Sequence, residues 1–321
     1  MYEQFFGLRE RPFDLLPNPR FLYLADGHKE ARANIRYSLL EPRGVTLITG
    51  DAGTGKTTLV MAVLTETDSR SVRIVHVNNP TLTRQEFYET LTTGFGLGPM
   101  TDWSKPKFLT LLRDRLEADR SANIVWAVLL DEAQSLPDEL LEEVRLLSNL
   151  ETPTYKLLSV ILIGQPELAS RLNRADLRQL KQRIALRYHI RPLNLMEAAS
   201  YIVTRLVTAG GTPVAVFTRD AVKTIYWASG GIPRTISVLC DNALLAGFAK
   251  GQKPVSVRLV EEVCRDFDLR GEEPAAVHNT ARITRDRDDW RPRPAEDDGS
   301  LRTGRLLNQL PDAATSAEQS R

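Results

Sequence analysis

The sequence predicts an α/β protein, a parallel sheet covered on both faces by helices, followed by a small all-helical region. Three observations predict it. Five apolar runs rich in β-branched residues alternate with stretches of helical period, the pattern of strands joined by crossover helices. A glycine-rich loop, Gly50-Asp51-Ala52-Gly53-Thr54-Gly55-Lys56-Thr57, sits directly between the first run and the first helical stretch. Strand signals stop at Pro192, and only helical periodicity follows.

In chain order the predicted strands are Val45–Thr49, Val72–Val77, Ile124–Leu130, Leu157–Ile163 and Ile184–Ile190. The helix after the loop is expected from Gly55 to Thr67, and Thr83-Arg84-Gln85-Glu86 is a capping box that opens another. Pro137 suits a first helical position, and Leu140, Leu141, Val144 and Leu147 then form one apolar face. Beyond Pro192, Leu195, Ala199, Ile202 and Leu206 make one helical stripe. Ala221 to Ala228, the stripe Ile236, Leu239 and Ala243, and Val257 to Phe267 predict three more helices. The expected domains are residues 1–192 (an N-terminal segment plus the α/β domain), 193–270 (a helical lid) and 271–321. The last is rich in Asp, Arg, Pro and Ser and reads as a disordered tail with a transient helix around Leu306 to Leu310.

Composition narrows the class. Of 321 residues, 42% are apolar and 26% charged, with a formal net charge of +1. A sizeable core can form, and no global bias toward nucleic acid or anionic membrane exists. Cys240 and Cys264 are the two cysteines and form no C-x-x-C pair, so they read as buried small hydrophobes in a reducing compartment. His28, His76, His189 and His278 lack ligand spacing, and His28 reads as structural. The N-terminus carries no signal-peptide pattern. The longest apolar runs fall far short of the ~20 residues of a membrane span. A cytoplasmic location is expected. Phe5, Phe6, Phe13, Phe21 and Tyr23 precede the α/β domain and are expected to pack on it or near a bound base, with partner docking as the lesser alternative.

The loop fits G-x-x-x-x-G-K-[ST] at every specified position. Glycines let backbone N–H groups wrap phosphate oxygens, and the following helix turns its positive end toward the same anion. Gly50 through Thr58 are thus the candidate nucleotide contacts. Lys56 would reach the β- and γ-phosphates, and the Thr57 hydroxyl would hold Mg²⁺. The third strand ends in Asp131-Glu132. Ligands bind at the carboxyl ends of parallel strands. There Asp131 would hold the metal through its water shell, and Glu132 would polarise the attacking water. ATP and Mg²⁺ are the expected ligands.

The fourth run ends in Gly164-Gln165. If this strand lies between the loop strand and the Asp131 strand, Gln165 faces the γ-phosphate or the water; otherwise it caps the next helix. In Gly230-Gly231-Ile232-Pro233-Arg234, Arg234 puts a cation at the positive end of a helix, a mild penalty that a phosphate would reverse. It reads as a lid arginine on the nucleotide. Arg171, Arg174, Arg178, Lys181, Arg183, Arg187 and Arg191 make a basic stretch, with the first, second and third of these on one helical face. Three readings stand for it: an arginine finger, with Arg178 or Arg183 reaching a neighbouring subunit's ATP, a nucleic-acid surface, or a solvated face.

With these residues in view, the chain resembles the AAA+ ATPases of the general secretion pathway protein A (ExeA) type. The matching pieces include Phe5-Phe6-Gly7-Leu8, Pro12-Phe13, Pro17-Asn18-Pro19-Arg20-Phe21-Leu22-Tyr23, His28-Lys29-Glu30-Ala31 and Asp131-Glu132-Ala133-Gln134. Gly164-Gln165-Pro166-Glu167-Leu168, Leu177 through Ile184 and Gly230 through Arg234 match as well. The resemblance implies a P-loop NTPase sheet in the order 5-1-4-3-2 with an α-helical lid. It also implies Gln165 as sensor 1, Arg234 as sensor 2, and oligomerisation driven by ATP. Secretion-type members continue into a transmembrane helix and a peptidoglycan-binding module, which this sequence is expected to lack.

The expectation is therefore an ATP-hydrolysing, homo-oligomeric motor or switch that assists secretion or exopolysaccharide and envelope machinery through a protein partner. The alternatives are a DNA-associated regulator of the transposition-ATPase kind and an interaction module that binds ATP without turnover.

Overall fold

The computed structural model describes residues 1–16, 18–78, 81–98 and 104–269. The tail expected over 271–321, with its helix around Leu306 to Leu310, lies outside them. Packing divides the described residues into two units, one within 24–192 and one formed by those of 1–23 together with 193–269.

The chain opens with helix α1 (Tyr2–Phe6), which belongs to the second unit. The first unit runs α2 (Asp26–Leu40), β1 (Val45–Gly50), α3 (Lys56–Glu66), β2 (Val72–Val77), α4 (Arg84–Phe95), α5 (Lys105–Ser121), β3 (Val125–Leu130) and α6 (Asp138–Leu147). It continues through β4 (Leu158–Gly164), α7 (Pro166–Arg171), α8 (Arg178–Lys181) and β5 (Ile184–Ile190). All strand pairs are parallel, and the order is β2-β3-β4-β1-β5. Read from the other edge this is the expected 5-1-4-3-2.

The alternation of side chains sorts the strands onto two cores. Val45, Leu47, Trp126, Val128, Leu130, Leu158, Val160 and Leu162 face α4, α5 and α6. Ile48, Ala127, Leu129, Ile161 and Ile163 face α2 and α3. Every residue of β1, β3 and β4 is buried, as central strands covered on both sides must be. Each Val, Leu or Ile removed from water there stabilises the unit by roughly 1.5–3 kcal/mol. These strands therefore make a rigid floor, and their carboxyl ends are fixed relative to one another.

Local signals act as expected. Thr83 and Glu86 close the reciprocal capping box on α4. Pro137 sits one place earlier than expected, as the cap residue ahead of α6. The face Leu140, Leu141, Val144 and Leu147 is buried.

The second unit is helical: α9 (Leu195–Thr208), α10 (Pro213–Val216), α11 (Arg219–Ser229), α12 (Pro233–Ala249) and α13 (Val257–Asp266), with α1. Here one expectation is corrected. The N-terminal aromatics, expected with the α/β domain, belong to this unit. Phe13 meets Phe217 edge-on at 6.4 Å, Tyr23 meets Tyr201 at 6.0 Å, Phe5 meets Phe248 at 5.8 Å, and Arg205 lies over Phe21. Offset aromatic pairs of this kind add attraction beyond the area they bury, and Phe217, Tyr201 and Phe248 all lie beyond residue 193. Cys240 and Cys264 are free and buried in the same unit.

Candidate functional site

β1 delivers the chain into the loop at Gly50, where no side chain fits. A Cβ there would stand 2.8 Å from the Ile190 carbonyl and 2.9 Å from Thr54 Oγ1. The loop then folds on itself, with Thr54 N–H and Oγ1–H both donating to the Asp51 carbonyl at 3.2 and 2.8 Å. Gly55 takes φ 92°, a left-handed conformation that glycine adopts at no steric cost, and starts α3 without a side-chain cap. The first amides of α3, at Lys56, Thr57 and Thr58, therefore lack helical acceptors and point out of the helix start, where an anion is favoured.

Lys56 is buried and donates to the Gly50 and Asp51 carbonyls at 2.7 and 2.9 Å. Burial pushes its pKa below the ordinary lysine value, while the carboxylates of Glu132, Asp131, Asp51 and Glu167 pull the other way. The ammonium thus lies within electrostatic reach of the acids at the tip of β3. The neighbouring Thr57 hydroxyl donates to Asp131 Oδ2 at 2.8 Å. Two hard oxygen ligands from separate elements meet here, the donor chemistry Mg²⁺ takes. The residues fit the ion.

Asp131 is buried, and its other oxygen accepts from Glu132 N–H at 2.9 Å. Glu132 has φ 51°, an uncommon conformation for a residue with a side chain. Its carboxylate accepts from Gln134 Nε2 at 2.5 Å. β4 lies between β1 and β3, the condition set for Gln165. The Gln165 backbone N–H donates to Gln134 Oε1 at 2.9 Å.

The basic stretch is not one helical face. It breaks into α7, a 3-10 turn at Ala175–Leu177, and α8. Arg171 donates to the carbonyls of Gln134 and Leu136 at 2.6 and 2.9 Å and also holds Asp138. Arg174 pairs with Asp138 and Asp176. These two hold local structure together. Arg178 and Arg183 are exposed. The Arg183 carbonyl accepts from Val45 N–H at the start of β1, so a strand length of roughly 16 Å separates it from Gly50. It serves no phosphate on its own loop. Arg234 lies in the helical unit, exposed in the first turn of α12, with no acidic residue in that turn.

Three residues around this site make contacts that the sequence did not specify. His28 on α2 is buried, and its Nε2 lies 2.9 Å from the Thr54 carbonyl, so the imidazole braces the loop. Gln134 and Arg171 order the turn after β3. His28, expected to be structural, and Gln134 both stand in the stretches that carry the family resemblance.

The sheet order, the loop and the acidic strand tip define a P-loop NTPase fold of the AAA+ type, and residues 39–172 match the AAA domain family. Over 255 residues the chain is 43% identical to general secretion pathway protein A of Aeromonas hydrophila. That match covers 79% of this chain and 46% of the relative, so the chain spans about half the relative's length. Among solved structures, Aeropyrum pernix ORC2 aligns with a TM-score of 0.59 at 19% identity, over 80% of this chain and 71% of that one. Drosophila ORC bound to DNA aligns at 0.60 and 17%, over 81% and 65%. The Thermotoga maritima RuvB Holliday junction branch migration motor aligns at 0.50 and 15%, over 77% and 71%. At these identities the likeness is one of fold. Among the described residues no helix is long and apolar enough to cross a membrane.

Proposed function

We propose that the chain binds ATP with Mg²⁺ and hydrolyses it. The observation that carries this reading is the 2.8 Å bond between Thr57 and Asp131 beside the buried Lys56 ammonium. It brings the loop that would cradle phosphate against the carboxylate that would hold the metal. On binding, Lys56 exchanges two loop carbonyls for phosphate oxygens, a charge-assisted contact stronger than the one it gives up. The open amides of the α3 start take the remaining oxygens. Thr57 and Asp131 would hold the ion, which when bound neutralises phosphate charge. Glu132 orients and deprotonates the attacking water. Gln165 contacts the γ-phosphate region as sensor 1, and Arg234 acts as sensor 2 from the helical unit. Arg178 or Arg183, both exposed, reach a neighbouring subunit's nucleotide in a homo-oligomer.

The 43% identity to general secretion pathway protein A supports a motor or switch role for a protein partner in secretion or envelope export, exercised from the cytoplasm. The test is phosphate release with and without Mg²⁺ and DNA, joined to mass measurement in ATP and in ADP. Mg²⁺-dependent turnover indifferent to DNA, with a larger assembly in ATP, is expected. Glu132→Gln should lower turnover by roughly 10²–10⁴-fold while ATP affinity stays within about twofold. DNA-stimulated turnover would favour the DNA-associated regulator. ATP binding without hydrolysis would favour the interaction module.

A further inference from the structure

We infer that Gln134 is a positioning residue for Glu132, holding its carboxylate in line and tying it to the tip of β4. The inference rests on the reading of Glu132 as general base. Gln134 has both ends of its side-chain amide engaged. Nε2 donates to Glu132 Oε2 at 2.5 Å, and Oε1 accepts from the Gln165 backbone N–H at 2.9 Å. One amide therefore spans the two strand tips on which water activation and γ-phosphate sensing are proposed to sit.

The surroundings are built around this span. Residue 164 is glycine, and a Cβ there would stand 2.8 Å from Gln134 Oε1 and 3.0 Å from Leu168 Cδ2. The turn that carries Gln134 is fixed from behind by Arg171, which holds the carbonyls of Gln134 and Leu136. Glu132 itself has a left-handed backbone, a conformation that a residue with a side chain uncommonly adopts. A neutral donor on one carboxylate oxygen fixes the rotamer and leaves the other oxygen to accept a proton from water. A shift of the Gln165 backbone on nucleotide binding would move the same amide, and with it the base.

Orientation of this kind acts on the chemical step and not on nucleotide binding. The experiment compares kcat, KM, ATP affinity and melting temperature for the wild type, Gln134→Ala, Gln134→Glu, Gly164→Ala and Glu132→Gln. Gln134→Glu keeps the acceptor for Gln165 N–H and removes the donor to Glu132. The expected result is a kcat lower by about tenfold or more in both Gln134 variants, with ATP affinity within about twofold and the melting temperature unchanged. Gly164→Ala should lower kcat in the same direction by displacing the amide. If Glu132→Gln abolishes turnover while both Gln134 variants keep wild-type kcat, the inference is overturned and the base reading stands. Losses of kcat that track losses of affinity or melting temperature also overturn it, because Gln134 would then be structural. Turnover unchanged in Glu132→Gln overturns both readings together.

Discussion

Two clusters of buried charge in the α/β unit are built on opposite principles. On α6, Glu143 is 1% exposed and fully served. It accepts from Tyr88 Oη at 2.6 Å and pairs with Lys105 Nζ at 2.6 Å and Arg84 Nε at 3.1 Å. Its partners come from α4 and α5, so one carboxylate ties three helices together. Lys56, 5% exposed, has two loop carbonyls as hydrogen-bond partners among the described residues, and the acids that attract it most stand at the tip of β3. Beside it a left-handed glutamate carries its carboxylate on a side-chain amide. The first cluster is saturated and has nothing left to bind. The second keeps charge and open helix-start amides in reserve, and that reserve is what a phosphate ligand would use.

The contrast predicts opposite outcomes from removing each charge. Lys56→Ala should weaken ATP binding by roughly 10–100-fold, the worth of charge-assisted hydrogen bonds of about 1.5–3 kcal/mol. The nucleotide-free protein should keep its urea midpoint, since the lysine's burial offsets its contacts. Calorimetric titration and urea unfolding check the pair. Glu143→Ala should do the reverse. It removes the carboxylate to which the buried Tyr88 hydroxyl donates and costs about 1–3 kcal/mol of stability, with ATP affinity unchanged. Equal effects of both variants on both properties would erase the distinction.

A smaller effect separates the clusters by pH. The Lys56 pKa in the folded protein is lowered by burial, so between that value and the unfolded lysine value the unfolded chain binds the extra proton. Stability must then rise with pH across this window. Unfolding of the nucleotide-free wild type against Lys56→Met, followed upward from neutral pH, should find the wild type gaining relative to the variant. A gap that stays flat or moves the other way would mean the ammonium carries no burial penalty.

Most of the sheet was legible because central strands must be apolar on both faces. The β-branched runs correspond to the strands, with the ends moved by the ladder. β1 and β4 run one residue further than read, into Gly50 and Gly164, because both glycines still pair in register with neighbouring strands. Helix α5 had no separate reading. Its buried positions Phe108, Leu112 and Leu116 are thinly spread among charges. The loop and the acidic pair were legible because each chemistry is written in contiguous residues. What the sequence left unassigned is non-local. Nothing in the spacing sends the His28 ring to the Thr54 carbonyl, or the Arg171 guanidinium back to the turn after β3. The N-terminal aromatics went astray for the same reason, since rings declare burial but not which surface buries them.

The central claim is that the tips of β1 and β3 act on one triphosphate through a shared Mg²⁺ site. Its most direct test is the Mg²⁺-dependent part of ATP affinity in Thr57→Ala, Asp131→Asn and the double variant. If both oxygens serve one ion, each single change removes that increment and the double variant is no worse than the weaker single one, within about twofold. Losses that simply add, or an ATP affinity indifferent to Mg²⁺ in the wild type, would contradict the account.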